Sequence, residues 1–280
     1  MTSSAVRRSA VAGSWYPGTA AAVRDEVERY LAAAPARALP GRLVGLISPH
    51  AGLRYSGPVA AHGYALLRGR RDLSVVLAGP SHRVAFEGAS VYARGAFETP
   101  LGSAPIDEDL AAALLAHRGM RDEPRPHRDE HSLEMQLPFL HHLVPGLRIV
   151  PILMGTQSRE EVEALAAALG RTLAGREDVL LVASSDLSHY HRAEVANRLD
   201  ARVVGDVERF DPAALMDRLE STPDHACGGG PMVAVMRAAR ALGAARAEVL
   251  RYADSGDVAE GDKSRVVGYV SAALLSEAAA

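Results

Sequence analysis

The chain has 280 residues, 48% hydrophobic and 23% charged, with a formal net charge of −3 and both signs interspersed. That length and apolar content suit one α/β domain over residues 1–280 with a sizeable core. The charge gives no reason to expect nucleic acid or an anionic membrane surface as a partner, and the single cysteine, Cys227, excludes a fold held by intrachain disulfides.

Arg7 and Arg8 near the N-terminus are followed by no apolar core of the roughly 7–15 residues that a secretory signal needs. No apolar run reaches the roughly 18 residues that cross a membrane. The chain therefore reads as a soluble, cytoplasmic protein. After Gly13-Ser14-Trp15-Tyr16-Pro17, a helical pattern covers 20–33. A buried strand over 43–48 runs into Ser-Pro-His50-Ala-Gly and is followed by a helix over 58–67. The basic cluster Arg68, Arg70 and Arg71 reads as solvated surface, and Lys263 is the only lysine. A second strand over 74–78 runs into Gly-Pro-Ser-His82-Arg.

Asp107 is an N-cap for a helix over 108–117, and an irregular Pro- and charge-rich loop over 121–128 is expected to lie over the site. Asp129-Glu130-His131-Ser132-Leu133-Glu134 opens a helix over 132–143. A strand over 148–153 ends near Gly155, and Ser158 caps a helix over 159–173. A strand over 179–183 runs into Ser184-Ser185-Asp186-Leu187-Ser188-His189. Helices over 193–207, 212–220 and 231–242 and strands over 248–252 and 266–271 complete the pattern. Apolar runs alternating with helical segments predict an α/β fold, with a mostly parallel or mixed central sheet flanked by helices.

Four strand exits carry His, Asp or Gly, and in open α/β sheets ligands gather beyond the carboxyl ends of the strands. A lone His after a strand is usually a capping or hydrogen-bonding group. His50 and His82 share a stiffening proline, however, and Gly52 and Gly79 are expected to leave room for a ligand. Neutral imidazole is the commonest metal ligand, so this pair reads as half of a metal site. Cys227 precedes three glycines, Pro231 and a helix, a position predicted to stabilise a thiolate as ligand or nucleophile; the alternative is an inert buried cysteine. Asp186 and His189 are candidate acid and base. His131 and Glu134, three residues apart, are both expected to reach the cleft, the alternative being a capping arrangement. His225 is a candidate outer partner of Cys227. No Walker A or Rossmann glycine fingerprint occurs.

These segments together resemble the Memo family, known in microbes as AmmeMemoRadiSam system protein B. The resemblance runs from Gly13–Pro17 through the His50, His82, 130–135, 186–189 and Cys227 segments to residues 264–271. It implies a fold similar to class III extradiol ring-cleaving dioxygenases. It also implies a copper or iron centre at His50, His82 and Cys227, with zinc a further occupant of purified material, and Asp186 and His189 beside it. A radical S-adenosylmethionine protein and an AMMECR-domain protein are the implied partners. A thiolate ligand departs from the two-His, one-carboxylate site of the dioxygenases and shifts preference toward copper. The leading expectation is a metal-dependent oxidoreductase, with His131 touching an unknown small-molecule or peptide substrate. The alternatives are a non-catalytic peptide- or partner-binding module and a hydrolase or transferase using Cys227 as nucleophile.

Overall fold

In the computed structural model, which describes residues 6–35, 37–222, 225–259 and 261–278, the apolar runs become the inner strands of a nine-stranded sheet. The chain begins with β1 (Val6–Arg7), α1 (Ala20–Ala33), β2 (Leu43–Ser48), α2 (Leu53–Tyr64) and β3 (Ser74–Pro80). Three short strands follow, β4 (Ala89–Val91), β5 (Ala96–Thr99) and β6 (Gly102–Pro105), then α3 (Glu108–Leu115) and β7 (Met120–Asp122). Next come α4 (Leu137–Leu143), β8 (Arg148–Met154), α5 (Arg159–Thr172), β9 (Val179–Ser184) and β10 (His189–His191). The last part contains α6 (Ala193–Glu208), α7 (Pro212–Ser221), α8 (Gly229–Ala241), β11 (Ala244–Asp254), α9 (Ser255–Val258) and β12 (Val266–Ser276).

The strand order is β10-β12-β2-β9-β3-β8-β4-β7, with β11 also on β12; β1, β5 and β6 form a separate small sheet. Within the centre, β2, β9, β3 and β8 are parallel neighbours, whereas β12 on one flank and β4 on the other run antiparallel. The sheet is thus mixed. Val75, Val76, Leu77 and Ala78 are fully buried, as are Val182 and Ala183, because helices cover both faces of the central strands. The chain inserts β9 between β2 and β3, so the exits of all three adjoin and their loops open into one crevice.

Local chemistry explains several boundaries. Asp107 accepts from Leu110 N at the start of α3, and Ser158 forms a reciprocal capping box with Glu161 at the start of α5. Helix α2 begins at Leu53, five residues before the expected start, and carries Pro58 inside it. Proline there removes one intrahelical donor, a cost that burial of the helix face outweighs. The expected single helix over 132–143 is instead a 3-10 turn, Glu134–Gln136, leading into α4, where Pro138 sits at a helix start. An i, i+3 pattern does not distinguish these two windings. The short strands β4 to β7 and β10 escape detection in the sequence because three or four residues carry no measurable period. Among the described residues no helix is long and apolar enough to cross a membrane.

Candidate metal centre

The loops after β2, β3 and β9 and the turn before α4 deliver His50, His82, Asp186 and His131 to one cleft of about 760 Å³. One ligand atom each of His50, His82 and His131 lies within 4.8 Å of the others. The ring centroids are 5.2 Å apart for His50 and His82, 5.5 Å for His50 and His131, and 4.6 Å for His82 and His131. Cys227 Sγ stands 3.2 Å from His50 Nε2. The mutually close set is the three imidazoles, and Cys227, 177 positions from His50 in sequence, adjoins that set through His50 at the carboxyl end of the central strands.

Hydrogen bonds fix which nitrogens face that point. Ser184 Oγ donates its one proton to Ser132 O at 2.7 Å and accepts from Gln136 Nε2 at 2.8 Å. His50 Nδ1, 2.8 Å from the same oxygen, must therefore donate, which leaves Nε2 with its lone pair toward Cys227. Gln136 is itself held by Tyr64 Oη, which donates to Oε1 at 2.6 Å. Glu130 does the corresponding work for His82. Its carboxylate accepts from His82 Nδ1 at 2.9 Å and His82 N at 2.5 Å, and from the backbone N–H groups of His131 and Ser132 at 2.9 Å. Both imidazoles are thus oriented through Nδ1, as in carboxylate–histidine–metal arrangements.

The Memo-like protein family model matches residues 7–273. The chain belongs to the Memo family. A MEMO1 family protein of Methanothermobacter thermautotrophicus is 38% identical over 276 residues, covering 94% of this chain and 98% of its own length. The MEMO1 family protein of Methanocaldococcus jannaschii is 38% identical over 285 residues, covering 95% and 98%. That of Thermotoga maritima is 35% identical over 285 residues, covering 96% and 99%.

In this Memo-family chain the electrostatics suit neutral nitrogen donors. Burial, reinforced by the neighbouring imidazoles, holds His50 well below the ordinary histidine range. Burial lowers His131 to about 4, and it lowers His189 as well. His131 Nδ1 is buried with no hydrogen-bond partner, although Glu130 Oε1 is 3.3 Å away. Glu130 behaves differently: burial opposes ionisation, but the hydrogen bond and charge of His82 prevail and bring it to about 2. Asp186 is pushed up to about 7 by burial, against the N–H groups of His50 at 2.7 Å and Ala51 at 3.2 Å that bond its Oδ1. Asp186 and His189 both line the cleft.

Several expectations change. Cys227 lies just before the N-cap Gly228 of α8, as expected, but burial beside the Asp186 carboxyl pushes its thiol up. That direction opposes the thiolate that both the ligand and the nucleophile readings need. The three glycines serve close packing: a Cβ on Gly228 would collide with Ser184 O, on Gly229 with Leu219, and on Gly230 with Gln157. That closeness brings the Cys227 segment against β9, where Cys227 N bonds Asp186 O at 3.2 Å. The space beside Gly79 is likewise filled by Leu133 and Ser132, whereas Gly52 lines the cleft and meets Trp15 and Tyr55 only at ordinary contact distance.

Glu134 does not reach the cleft. It is fully buried and gathers the N-terminal segment, pairing with Arg7 and accepting from Ala10 N, Val11 N and Tyr16 Oη. This strap lays Trp15 4.3 Å from the His131 ring, so residues 14 and 15 help close the site. The 121–128 loop lies at the β7 edge and contributes nothing to the cleft lining. His225 Nδ1 donates to Thr222 O at 3.0 Å, within its own turn. Sequence reasoning assigned no role to Glu130, Ser184, Gln136 or Trp15. The one available signal was a run of polar residues at apolar strand and helix ends.

Proposed function

We propose that the protein is a metal-dependent oxidoreductase holding one copper or iron ion at His50, His82 and Cys227, with His131 beside them on the cleft side. The observation that carries this reading is the pair of imidazoles whose Nδ1 atoms are committed to Ser184 and Glu130, freeing Nε2 as a donor. The donor set fits a transition metal: neutral nitrogens, one sulfur and an orphaned buried nitrogen on His131. A bound copper or iron would supply one-electron chemistry, with the sulfur favouring copper. Around it, the chain's own groups orient and exchange protons. Asp186 Oδ1 is occupied by two backbone N–H groups, so a proton exchanged with substrate would reside on Oδ2. His189, neutral at pH 7, is the partner base on the same cleft.

Metal analysis of anaerobically purified protein tests the reading. One ion per chain is expected, lost in His50→Ala, His82→Ala and Cys227→Ser. Stoichiometric metal retained in all three variants overturns it. Retention in Cys227→Ser together with loss in His131→Ala would reassign the third ligand to the imidazole.

A further inference from the structure

Four aromatic side chains line the cleft beyond the imidazoles: Trp15, Tyr55, Tyr190 and Tyr269. Its volume of about 760 Å³ is that of a site for an organic molecule, far more than an ion and its waters require. Its charges are unequally committed. Asp186 bonds the His50 and Ala51 N–H groups, and Asp262 bonds Ser264 through both its N–H, at 2.7 Å, and its hydroxyl, at 2.5 Å. By contrast, Arg54 and Arg265, which line the same cleft, make no hydrogen bond or ion pair among the described residues. Each guanidinium instead lies against an aromatic ring of the lining, Arg54 at 4.7 Å from the Tyr55 centroid and Arg265 at 5.0 Å from that of Tyr190. Stacking holds the guanidinium plane while leaving its N–H fork for an external oxyanion.

We propose that the cleft takes a planar organic oxyanion, its anionic group received by Arg54 and Arg265 and its ring packed on the aromatic lining. The Trp15 ring touches His131, so a ligand packed on it extends to the imidazole cluster. The inference rests on the metal-centre reading only for placing the reactive end there. A guanidinium pair binds carboxylate and phosphorus oxyanions alike, which leaves the identity of the oxyanion to measurement.

Trp15 is the only tryptophan and lines the cleft, so its fluorescence reports occupancy directly. Purified full-length protein, with and without bound metal, is titrated with benzoate, phenylphosphonate, neutral benzamide and ringless acetate. One or both aromatic anions are expected to bind about tenfold or more tightly than benzamide and acetate. Whichever of the two binds more tightly names the oxyanion. Arg54→Gln/Arg265→Gln should abolish that preference while leaving benzamide affinity and metal content unchanged. Equal affinity for anion and amide, or a double variant that keeps the wild-type preference, overturns the proposal. Anion selectivity in protein that never binds metal supports it while removing the metal centre, so the two failures are distinguishable.

Discussion

Ser184 and Glu130 determine what the two central histidines can do. Each occupies Nδ1, through 2.8 Å and 2.9 Å contacts respectively, and so fixes the tautomer that presents Nε2. Such outer partners typically set metal affinity within a factor of 10–100. Ser184→Ala and Glu130→Gln are each expected to weaken metal binding by about that factor without abolishing it, as read by competition against a chromophoric chelator. Asp186 makes a separate prediction. Its folded-state pKa of about 7 lies above the ordinary 3.8, so between those values the folded protein holds a proton that the unfolded chain has released. The Asp186 contribution to the stability of metal-free protein should therefore fall as pH rises from about 4 through about 7, opposite in sign to the contribution of the depressed histidines His50, His131 and His189. Asp186→Asn cannot ionise and should remove that contribution, so its urea midpoint should rise more with pH across the same range than that of the wild type.

At the scale of elements, the β2, β3 and β9 exits and the turn before α4 build the site, and two non-sheet segments close it. One is the start of α8, brought against β9 by glycines. The other is the N-terminal strap, anchored by Glu134 under Arg7 and Tyr16. Removing one partner of a buried ion pair costs about 3–5 kcal/mol, because the remaining charge is left uncompensated. Glu134→Ala should destabilise the protein by roughly that amount. It should also free the strap, so that Trp15 leaves the His131 ring and its emission shifts to the red. A stability loss with unchanged emission would show that the strap is held elsewhere.

For the whole molecule, the proposed ligands come from the loop after β2, the loop after β3 and the segment before α8, so binding an ion ties distant parts of one fold together. A ligand present at 100 times its dissociation constant stabilises the native state by about 2.7 kcal/mol. For a chain of this size that corresponds to a rise in melting temperature of roughly 5–10 °C. Wild-type protein should show the rise on adding metal, and His50→Ala/His82→Ala should not.

Much of this was readable in one dimension. Apolar runs over 43–48 and 179–183 announced inner strands because burial on both faces leaves no room for polar alternation. His50, His82, Asp186 and Cys227 stood out because polar, metal-capable groups directly follow such runs or a glycine-rich stretch. Tertiary structure alone decided the rest. The insertion of β9 between β2 and β3 brings Ser184 to His50, and the turn at 130–132 brings Glu130 to His82 and His131 into the cluster. Whether Glu134 faces a ligand or a buried arginine depends on which segment packs over it, a contact made across 127 residues that no local pattern encodes. Local sequence sets winding and burial, whereas the orientation of a lone pair is set by neighbours that only the folded chain supplies.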